Sequence, residues 1–266
     1  MSDGRSAGWS AAAWERPAGW DAALQERLDP AARQAWQQLH ARVTAADDPV
    51  RALTSRFPGV ARAVGRAPLA PPPPGDLEPV LALHGGVDDL ARAVLVRDVA
   101  PAGPALRELY DLGDAAERRG VLRGLAALPG LGGPDGADLV ADALRTNDVR
   151  LVAASVGPCA AHLDAVQWRQ AVLKCLFVGV PLEHVADLER RRDDALAAMA
   201  ARYVAERVAA GRPVPVDVPA VLPAGHPALA QARLDDPCHA AYADRRAAAA
   251  AARALLDPHR HVTETT

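Results

Sequence analysis

The segment from residue 165 to residue 178 has helical periodicity and carries a polar stripe. At about 100° per residue, Gln167, Gln170 and Lys174 fall within about 60° of one another. Two amides and one ammonium group on one helix face suit a phosphate, a carboxylate or a hydroxylated ring as ligand. The alternative is that the stripe forms the solvent face of a half-buried helix.

Arg169 lies on the opposite side of the same predicted helix, among apolar positions. An unpaired guanidinium group buried there would cost on the order of several kcal/mol. We therefore predict a carboxylate partner, either Asp164 or Asp148, and favour Asp148, which Arg150 could share. This ion pair would be a strut between helix pairs, and the alternative is that Arg169 binds a ligand.

Two residue types occur only once in the chain: Lys174 is its only lysine and Asn147 its only asparagine, and isoleucine is absent. This bias indicates a GC-rich genome, so both residues mark positions where a substitute fails, unless they persist by chance. Asn147 suits a turn or a left-handed backbone conformation. Lys174 would act as a Schiff-base nucleophile only if burial depressed its pKa, and its polar neighbours argue for exposure.

Composition and motifs exclude several functional classes. A net charge of −3 provides no global basic field for nucleic acid. Three widely spaced cysteines match neither a disulfide framework nor a zinc site, and no GxGxxG, P-loop, GxSxG or HExxH motif occurs, so we expect no metal and no cofactor. No run approaches the roughly 20 apolar residues of a transmembrane segment, and a signal peptide is not apparent. We therefore expect a cytoplasmic protein.

Helix start signals and helical spacing dominate the chain, and no alternating β pattern is convincing. Asp29-Pro30 and Asp48-Pro49 each combine an N-cap with proline at the first helical position. Half of the residues are hydrophobic but only 4% are aromatic, which is typical of many thin helix contacts. The main predicted helices span residues 30–44, 49–56, 88–97, 104–111, 115–128, 138–146, 149–163, 165–178, 187–210 and 237–256.

The fold class predicted from this pattern is all-α. Short helices paired by Asp-capped turns between residues 104 and 186 indicate stacked helix pairs, as in a HEAT-like α-solenoid. An irregular helical bundle is the alternative. We predict three segments: residues 1–75, with a lead-in that docks one tryptophan and a polyproline spacer; residues 76–212, the helical core; and residues 213–266, a proline-rich segment with a final helix and a frayed tail.

Two stretches resemble the EboA family. One runs from Arg145 to Pro158 as RTNDVRLVAASVGP, and the other from Trp168 to Leu182 as WRQAVLKCLFVGVPL. The resemblance covers roughly residues 24 to 222. It implies an accessory role in secondary-metabolite biosynthesis or export, beside a UbiA-like prenyltransferase, a TatD-like hydrolase, and cyclase-like and isomerase-like enzymes. It supplies no catalytic residue.

Two functional hypotheses follow, and we favour the first. The first is a non-catalytic helical scaffold that binds a partner protein or a metabolite. The second is an enzyme acting on a prenylated or cyclitol-like intermediate, with Lys174, Arg169, Asp148 and Arg150 around a polar pocket. A third possibility is membrane association through the N-terminal tryptophans. The candidate ligand- or partner-binding residues are Asn147, Asp148, Arg150, Gln167, Trp168, Arg169, Gln170 and Lys174.

Overall fold

The computed structural model describes residues 14, 16–69, 85–128, 130 and 133–257. Within these residues the protein is helical and contains no β-strand beyond one isolated bridge between Pro68 and Gly86, so the all-α prediction is confirmed. The α-helices are α1 (Trp20–Arg27), α2 (Pro30–Thr44), α3 (Pro49–Arg56), α4 (Val60–Val64), α5 (Val87–Val99), α6 (Gly103–Leu112), α7 (Ala115–Gly124), α8 (Gly133–Arg145), α9 (Val149–Ser155), α10 (Ala165–Val178), α11 (Leu188–Arg191), α12 (Asp194–Ala209) and α13 (Ala243–Leu255).

Aspartate N-caps begin several of these helices, as their sequence positions predict. Asp29 accepts a hydrogen bond from the backbone N–H of Ala32, and Asp48 accepts one from that of Arg51. Each side chain thereby satisfies one of the N–H groups that a helix leaves unpaired in its first turn. Helices α2 and α3 have the predicted bounds at both ends.

Three predicted helices are interrupted. The one predicted over 237–256 begins as a 3-10 segment at Pro237–Ala241, and α13 starts only at Ala243 because Tyr242 adopts extended backbone. The helix predicted over 149–163 ends at Ser155, and a 3-10 segment follows at Pro158–His162, because proline has no N–H and disfavours helical backbone at the residue before it. The helix predicted over 187–210 is divided into α11 and α12, since Arg192 and Asp193 adopt extended backbone and Asp193 caps the second part.

Contacts divide the chain into two compact units. The first comprises residues 1–164 and 183–186, and the second comprises residues 165–182 and 187–266. The boundaries of these two units differ from those of the three segments predicted from sequence. The three segments stay a prediction, and so does a HEAT-like stacking of the helix pairs. The polyproline run and the tail after residue 257 lie outside the described residues.

The core of the first unit is the contact between α5 and α7. Every side chain from Val87 to Val96 is buried, so α5 is enclosed on all sides. Helix α7 approaches it closely through two glycines one turn apart. A Cβ atom on Gly120 would lie 2.5 Å from Cβ of Arg92, and one on Gly124 would lie 2.7 Å from Cβ of Val96.

The N-terminal lead-in docks one tryptophan in this unit. Trp14 is 3% exposed and packs edge-on against Trp20, with their ring centroids 5.6 Å apart. Its ring therefore belongs to the core, which argues against a membrane-anchoring role for Trp14. Trp9, the other tryptophan of the lead-in, lies outside the described residues.

In the second unit, α10 packs against α12. Tyr203 on α12 donates a hydrogen bond to the carbonyl of Leu176, and Trp168 is buried beneath the guanidinium group of Arg191, 4.8 Å from its ring centroid. Arg169 pairs with Asp193, so the expected pairing with Asp148 is wrong. The physical reason is the helix break, which leaves the Asp193 carboxylate able to cap α12 and to accept from Arg169 at once.

The close helix contact predicts that Gly120→Ala and Gly124→Ala are each destabilising. The new methyl group would overlap a Cβ atom that cannot rotate away, so we expect the free energy of unfolding to fall by about 1–3 kcal/mol. This loss exceeds the roughly 1 kcal/mol that alanine gains over glycine in a helix. Urea denaturation measures it. Gly59→Ala is the matched control, because no atom lies within 4 Å of its Cβ position, and an equal loss there would contradict the close-contact argument.

The double role of Asp193 predicts a graded loss of stability. Asp193→Ala removes the N-cap and should cost about 1 kcal/mol. Asp193→Asn keeps a capping oxygen and loses only a partly exposed ion pair, so we expect a few tenths of a kcal/mol, at roughly the level of surface pairs.

The pH dependence separates the two contributions. Hydrogen bonding from Arg169 holds the pKa of Asp193 below its ordinary value of 3.8. A depressed pKa in the folded state stabilises the protein above the unfolded-state pKa, and this stabilisation is lost as the pH falls through the folded-state value. The difference between wild type and Asp193→Asn should therefore shrink in acid when both are unfolded with urea. A difference that persists unchanged would mean that the ion pair does not cause it.

Candidate functional site

The eight residues nominated from sequence fall in both units. Asn147, Asp148 and Arg150 belong to the first unit, around the start of α9, and the other five belong to α10 in the second unit. Asp148 is the N-cap of α9 and accepts from the backbone N–H groups of Arg150 and Leu151. Asn147 does not have a positive φ, so of the two conformations proposed for it the left-handed one is wrong, and it lies in the short connection between α8 and α9.

On α10, the side chains of Gln167 and Gln170 are exposed and that of Lys174 is half-buried. This is the arrangement expected of a solvent face, the second interpretation of the polar stripe. Arg169 is engaged with Asp193, as described above. A ligand- or partner-binding role for these residues stays a prediction.

The structure draws attention instead to α5 and α7. Six acidic or arginine side chains are buried within the described residues, and all six come from these two helices. They are Asp88, Asp89, Arg92, Glu117, Arg119 and Arg123. A buried charge is costly unless it is paired, so their mutual positions decide whether this core is stable.

Asp88 and Asp89 stand in the first turn of α5. Asp88 Oδ2 accepts from Arg92 Nη1 at 2.7 Å, one turn along the helix. Asp89 Oδ2 accepts from the backbone N–H of Gly86 at 2.9 Å, completing the capping of this helix end. Burial raises the pKa of Asp88, and the adjacent Asp89 carboxylate raises it further, against the opposing effect of Arg92.

The two oxygens of Asp89 differ in their surroundings. Oδ1 lies 3.3 Å from Nε of Arg119 but accepts no hydrogen bond from any described residue. The side chain as a whole is 0% exposed. Asp89 Oδ1 is therefore closed off from solvent, and its charge is balanced by the nearby guanidinium group of Arg119.

Arg123 lies deeper, behind this pair. Its guanidinium carbon stands 4.2 Å from the centroid of the Trp14 ring, a cation–π distance. Burial lowers the pKa of Arg123 to about 10, against the attraction of Asp89. Burial also raises the pKa of the neighbouring Cys159 thiol to about 12, so Cys159 is a core thiol and not a nucleophile at neutral pH.

A solvent-open pocket of about 520 Å³ lies over the first turns of α5 and α7. The charged side chains that line it are Arg66, Asp88, Asp89, Asp114, Arg119 and Arg150. Asp88, Asp89 and Arg119 are buried and form its floor, whereas Arg66 and Arg150 are exposed and form its mouth. Of the eight nominated residues, Arg150 is the one that lines this pocket.

The groups in this pocket are suited to recognition by hydrogen bonds and charge. Arg150 lies 3.9 Å from Asp148, which leaves most of its donors available, and Arg66 makes no ion pair within the described residues. Asp114 is the N-cap of α7 and accepts hydrogen bonds from the backbone N–H groups of Ala116 and Glu117. Burial raises the pKa of Asp114, but these hydrogen bonds outweigh that effect and hold the pKa below its ordinary value.

Sequence reasoning missed the buried charges because it placed Asp88 and Asp89 only at the start of the helix predicted over 88–97. The cap itself is Gly86, and both carboxylates lie inside the first turn. A usable signal was present: Arg119 and Arg123 are one turn apart, and each is followed by a glycine. Glycine inside a helix is unfavourable unless close packing requires it, and such packing buries the residues beside it.

Two further findings concern possible ligands and membranes. In the described part of the chain, no group of three or more His, Cys, Asp or Glu side chains is placed to hold a metal ion. None of the helices there combines the length and the apolar character that crossing a bilayer requires.

Comparison with known proteins identifies the family. The family model described as "Metabolite traffic protein EboA" matches residues 21–222, which include the whole of α5, α7 and the pocket between their first turns. No curated protein and no solved structure matches the chain. Because the match covers more than half of the sequence and agrees with the resemblance found in residues 145–182, this chain belongs to the EboA family.

Proposed function

We propose that this protein is a non-catalytic metabolite-binding protein, with the pocket over α5 and α7 as its binding site. The observation that carries the proposal is the juxtaposition of buried ionic groups at the pocket floor with exposed arginines at its mouth. Binding sites are concave and present a small number of fixed polar groups to the ligand. The family description, a metabolite traffic protein, accords with such a role.

The preorganisation of the pocket supports this proposal. Its floor residues are held by one another and by backbone groups, since Asp88 pairs with Arg92 and Asp89 accepts from Gly86. Side chains held in this way lose little conformational entropy when a ligand binds. Arg66 and Arg150 at the pocket mouth are exposed, so their side chains would become ordered when a ligand binds. This loss of conformational entropy is part of the free-energy cost of binding.

The cellular setting is proposed from the resemblance. We infer that the bound metabolite belongs to a secondary-metabolite biosynthesis or export pathway, and that the UbiA-like, TatD-like, cyclase-like or isomerase-like proteins of that pathway deliver or receive it. Three free thiols, Cys159, Cys175 and Cys238, accord with a cytoplasmic location. A role as a protein scaffold and the alternative of an enzyme centred on Lys174 make different predictions for the experiment below.

Native mass spectrometry of the protein after incubation with a metabolite extract of its source cells tests the proposal. We expect a bound small molecule that is released on denaturation. The double variant Arg66→Ala/Arg150→Ala should retain roughly a tenth of it or less, because charge-assisted hydrogen bonds contribute on the order of 1.5–3 kcal/mol. Both side chains are exposed, so the variant should fold normally.

The matched control is Arg62→Ala/Arg145→Ala, which removes two exposed arginines from nearby helices that do not line the pocket. The control should bind as wild type does. Capture that is lost with Lys174→Ala but kept by the double variant would move the site to α10. The absence of any released molecule, with a pathway protein retained by all variants, would contradict metabolite binding and support the scaffold.

A further inference from the structure

Helix α10 carries apolar side chains on the side opposite its buried face. Its inner side is packed, and five of its residues are buried: Trp168, Ala171, Val172, Cys175 and Leu176. On the other side, Val166 is 59% exposed and Phe177 is 64% exposed. A surface helix normally has polar residues there. The packing of the described residues therefore does not account for these two side chains.

The outer side of α10 has the residue spacing of a helix–helix contact. Four residues are separated by four, three and four positions, the alternation of a coiled-coil seam: Val166, Gln170, Leu173 and Phe177. At about 100° per residue they fall within about 60° of one another and extend over about three turns. Gln170 is exposed and Leu173 is half-buried. These four residues are called the outer seam below.

Exposed apolar side chains are concentrated at this helix. Five large apolar side chains are exposed within the described residues, and two of them, Val166 and Phe177, belong to the outer seam. A third, Val216, precedes Asp217, which accepts from the backbone N–H of Leu182 at 2.9 Å and so lies beside the segment that follows α10. Single exposed apolar residues are ordinary, whereas a group of them marks an interaction surface.

The charged residues beside the outer seam are basic. Arg169 and Lys174 flank the seam on its two sides, and α10 contains no aspartate or glutamate, since Asp164 precedes its first residue. Asp193 balances Arg169, and its carboxylate also accepts from the backbone N–H of Leu196. The helix with its ion-pair partner therefore keeps one net positive charge, at Lys174.

Groups on neighbouring elements do not reverse this sign. Tyr203 on α12 donates to the carbonyl of Leu176, and the guanidinium carbon of Arg207 stands 5.9 Å from the centroid of the Tyr203 ring. The carboxylate of Asp217 accepts from Leu182, four residues beyond the end of α10, and so lies past the seam. The charges along the seam are therefore complementary to an acidic partner.

A second copy of this chain fits the outer seam poorly. A two-fold antiparallel pairing would bring both Lys174 side chains to the same side of the interface, and a parallel pairing would place Lys174 beside Arg169 of the copy. The carboxylate beside Arg169, that of Asp193, is already engaged. Stable complexes also bury on the order of 800 Å² on each partner, more than four partly exposed side chains provide. The seam therefore suits a different, reversibly bound partner.

We propose that the outer seam docks an amphipathic helix of another protein, with apolar residues at a and d spacing and aspartate or glutamate beside them. The apolar stripe supplies the contact area, and Lys174 favours the acidic flank, as the flanking positions do in coiled coils. The seam belongs to the second unit and the pocket residues to the first, so this inference does not depend on metabolite binding.

Fluorescence anisotropy with three defined peptides tests the docking site. The first is a helix of three heptads with leucine at a and d and glutamate at e and g. The second has lysine in place of glutamate, and the third has alanine in place of leucine. We expect the first to bind roughly tenfold or more tightly than the alanine peptide and roughly threefold or more tightly than the lysine peptide. Its affinity should fall as salt is added.

Variants assign the contact to the outer seam. Val166→Ser/Phe177→Ser should weaken the first peptide roughly tenfold or more, since it removes exposed apolar surface. Leu112→Ser/Tyr242→Ser is the matched control, because both side chains are exposed on other elements, and it should bind as wild type does. Lys174→Glu should reverse the preference between the glutamate and lysine peptides. Thermal unfolding confirms folding, and the salt dependence of wild type tests the charge if Lys174→Glu does not fold.

Photo-crosslinking identifies the occupant. With p-benzoylphenylalanine in place of Phe177, crosslinking in the source cells should join the seam to an acid-flanked amphipathic segment of another protein, located by mass spectrometry of the joined peptides. A joined segment without that pattern, or a second copy of this chain, would overturn the proposed partner. The docking site itself is wrong if the three peptides bind equally, or if crosslinking does not exceed that from the same replacement at Leu112.

Discussion

The burial of opposite charges between α5 and α7 is the interaction on which the first unit depends. Removing ions from water costs several kcal/mol each, to an order of magnitude, and is tolerated only when partners replace the lost hydration. Here the partners are supplied at close range because Gly120 and Gly124 let α7 approach α5 to within Cβ contact. Without that approach, Arg119 would not reach Asp89 and the floor of the pocket would not exist.

The same contact explains why the pocket opens where it does. The N-terminal ends of α5 and α7 lie at the same side of the unit. Gly85 and Gly86 precede α5, Asp114 precedes α7, and all three line the pocket. Gly85 has a φ of 90°, and a Cβ atom there would meet Asp89, Arg123 and Trp14 within 3.3 Å. A chain segment this close to the buried charges requires glycine, so backbone and ionic groups together shape the pocket.

The sequence predicts the helices of this protein better than it predicts the candidate site. Helix bounds were predictable where a side chain supplies the cap, as at Asp29 and Asp48, because capping is a local interaction between residues three apart. Predictions failed at Ser155, where a proline three residues later ends the periodic pattern, and at Asp193, which caps a second helix within a pattern that looks continuous. The all-α class was therefore accessible, whereas the division into units depends on long-range contacts.

The site was less accessible for a different reason. Sequence reasoning gave weight to the rare residues Lys174 and Asn147, yet a rare residue in a biased composition says little about where charges meet in space. The pocket is built from arginine and aspartate, the common charged residues of this chain, and their burial follows from packing against glycine. Arg150 was nominated as a residue that could share the Asp148 carboxylate, a local relation, whereas Asp89 and Arg119 are 30 residues apart and meet only in the folded state.

The buried charges at the pocket floor also bear on whether this pocket is suited to acid–base catalysis or to ligand binding. Asp88 has a raised pKa, which is a property expected of a general acid or base, but its carboxylate is held by Arg92 within the core. Protonating it would break that ion pair and leave a buried guanidinium group unpaired, at a cost of about 3–5 kcal/mol in comparable cases. Proton transfer at the floor would therefore disturb the contact that holds α5 against α7. A ligand held by the exposed Arg66 and Arg150 would leave this contact intact, which accords with the reversible binding proposed above.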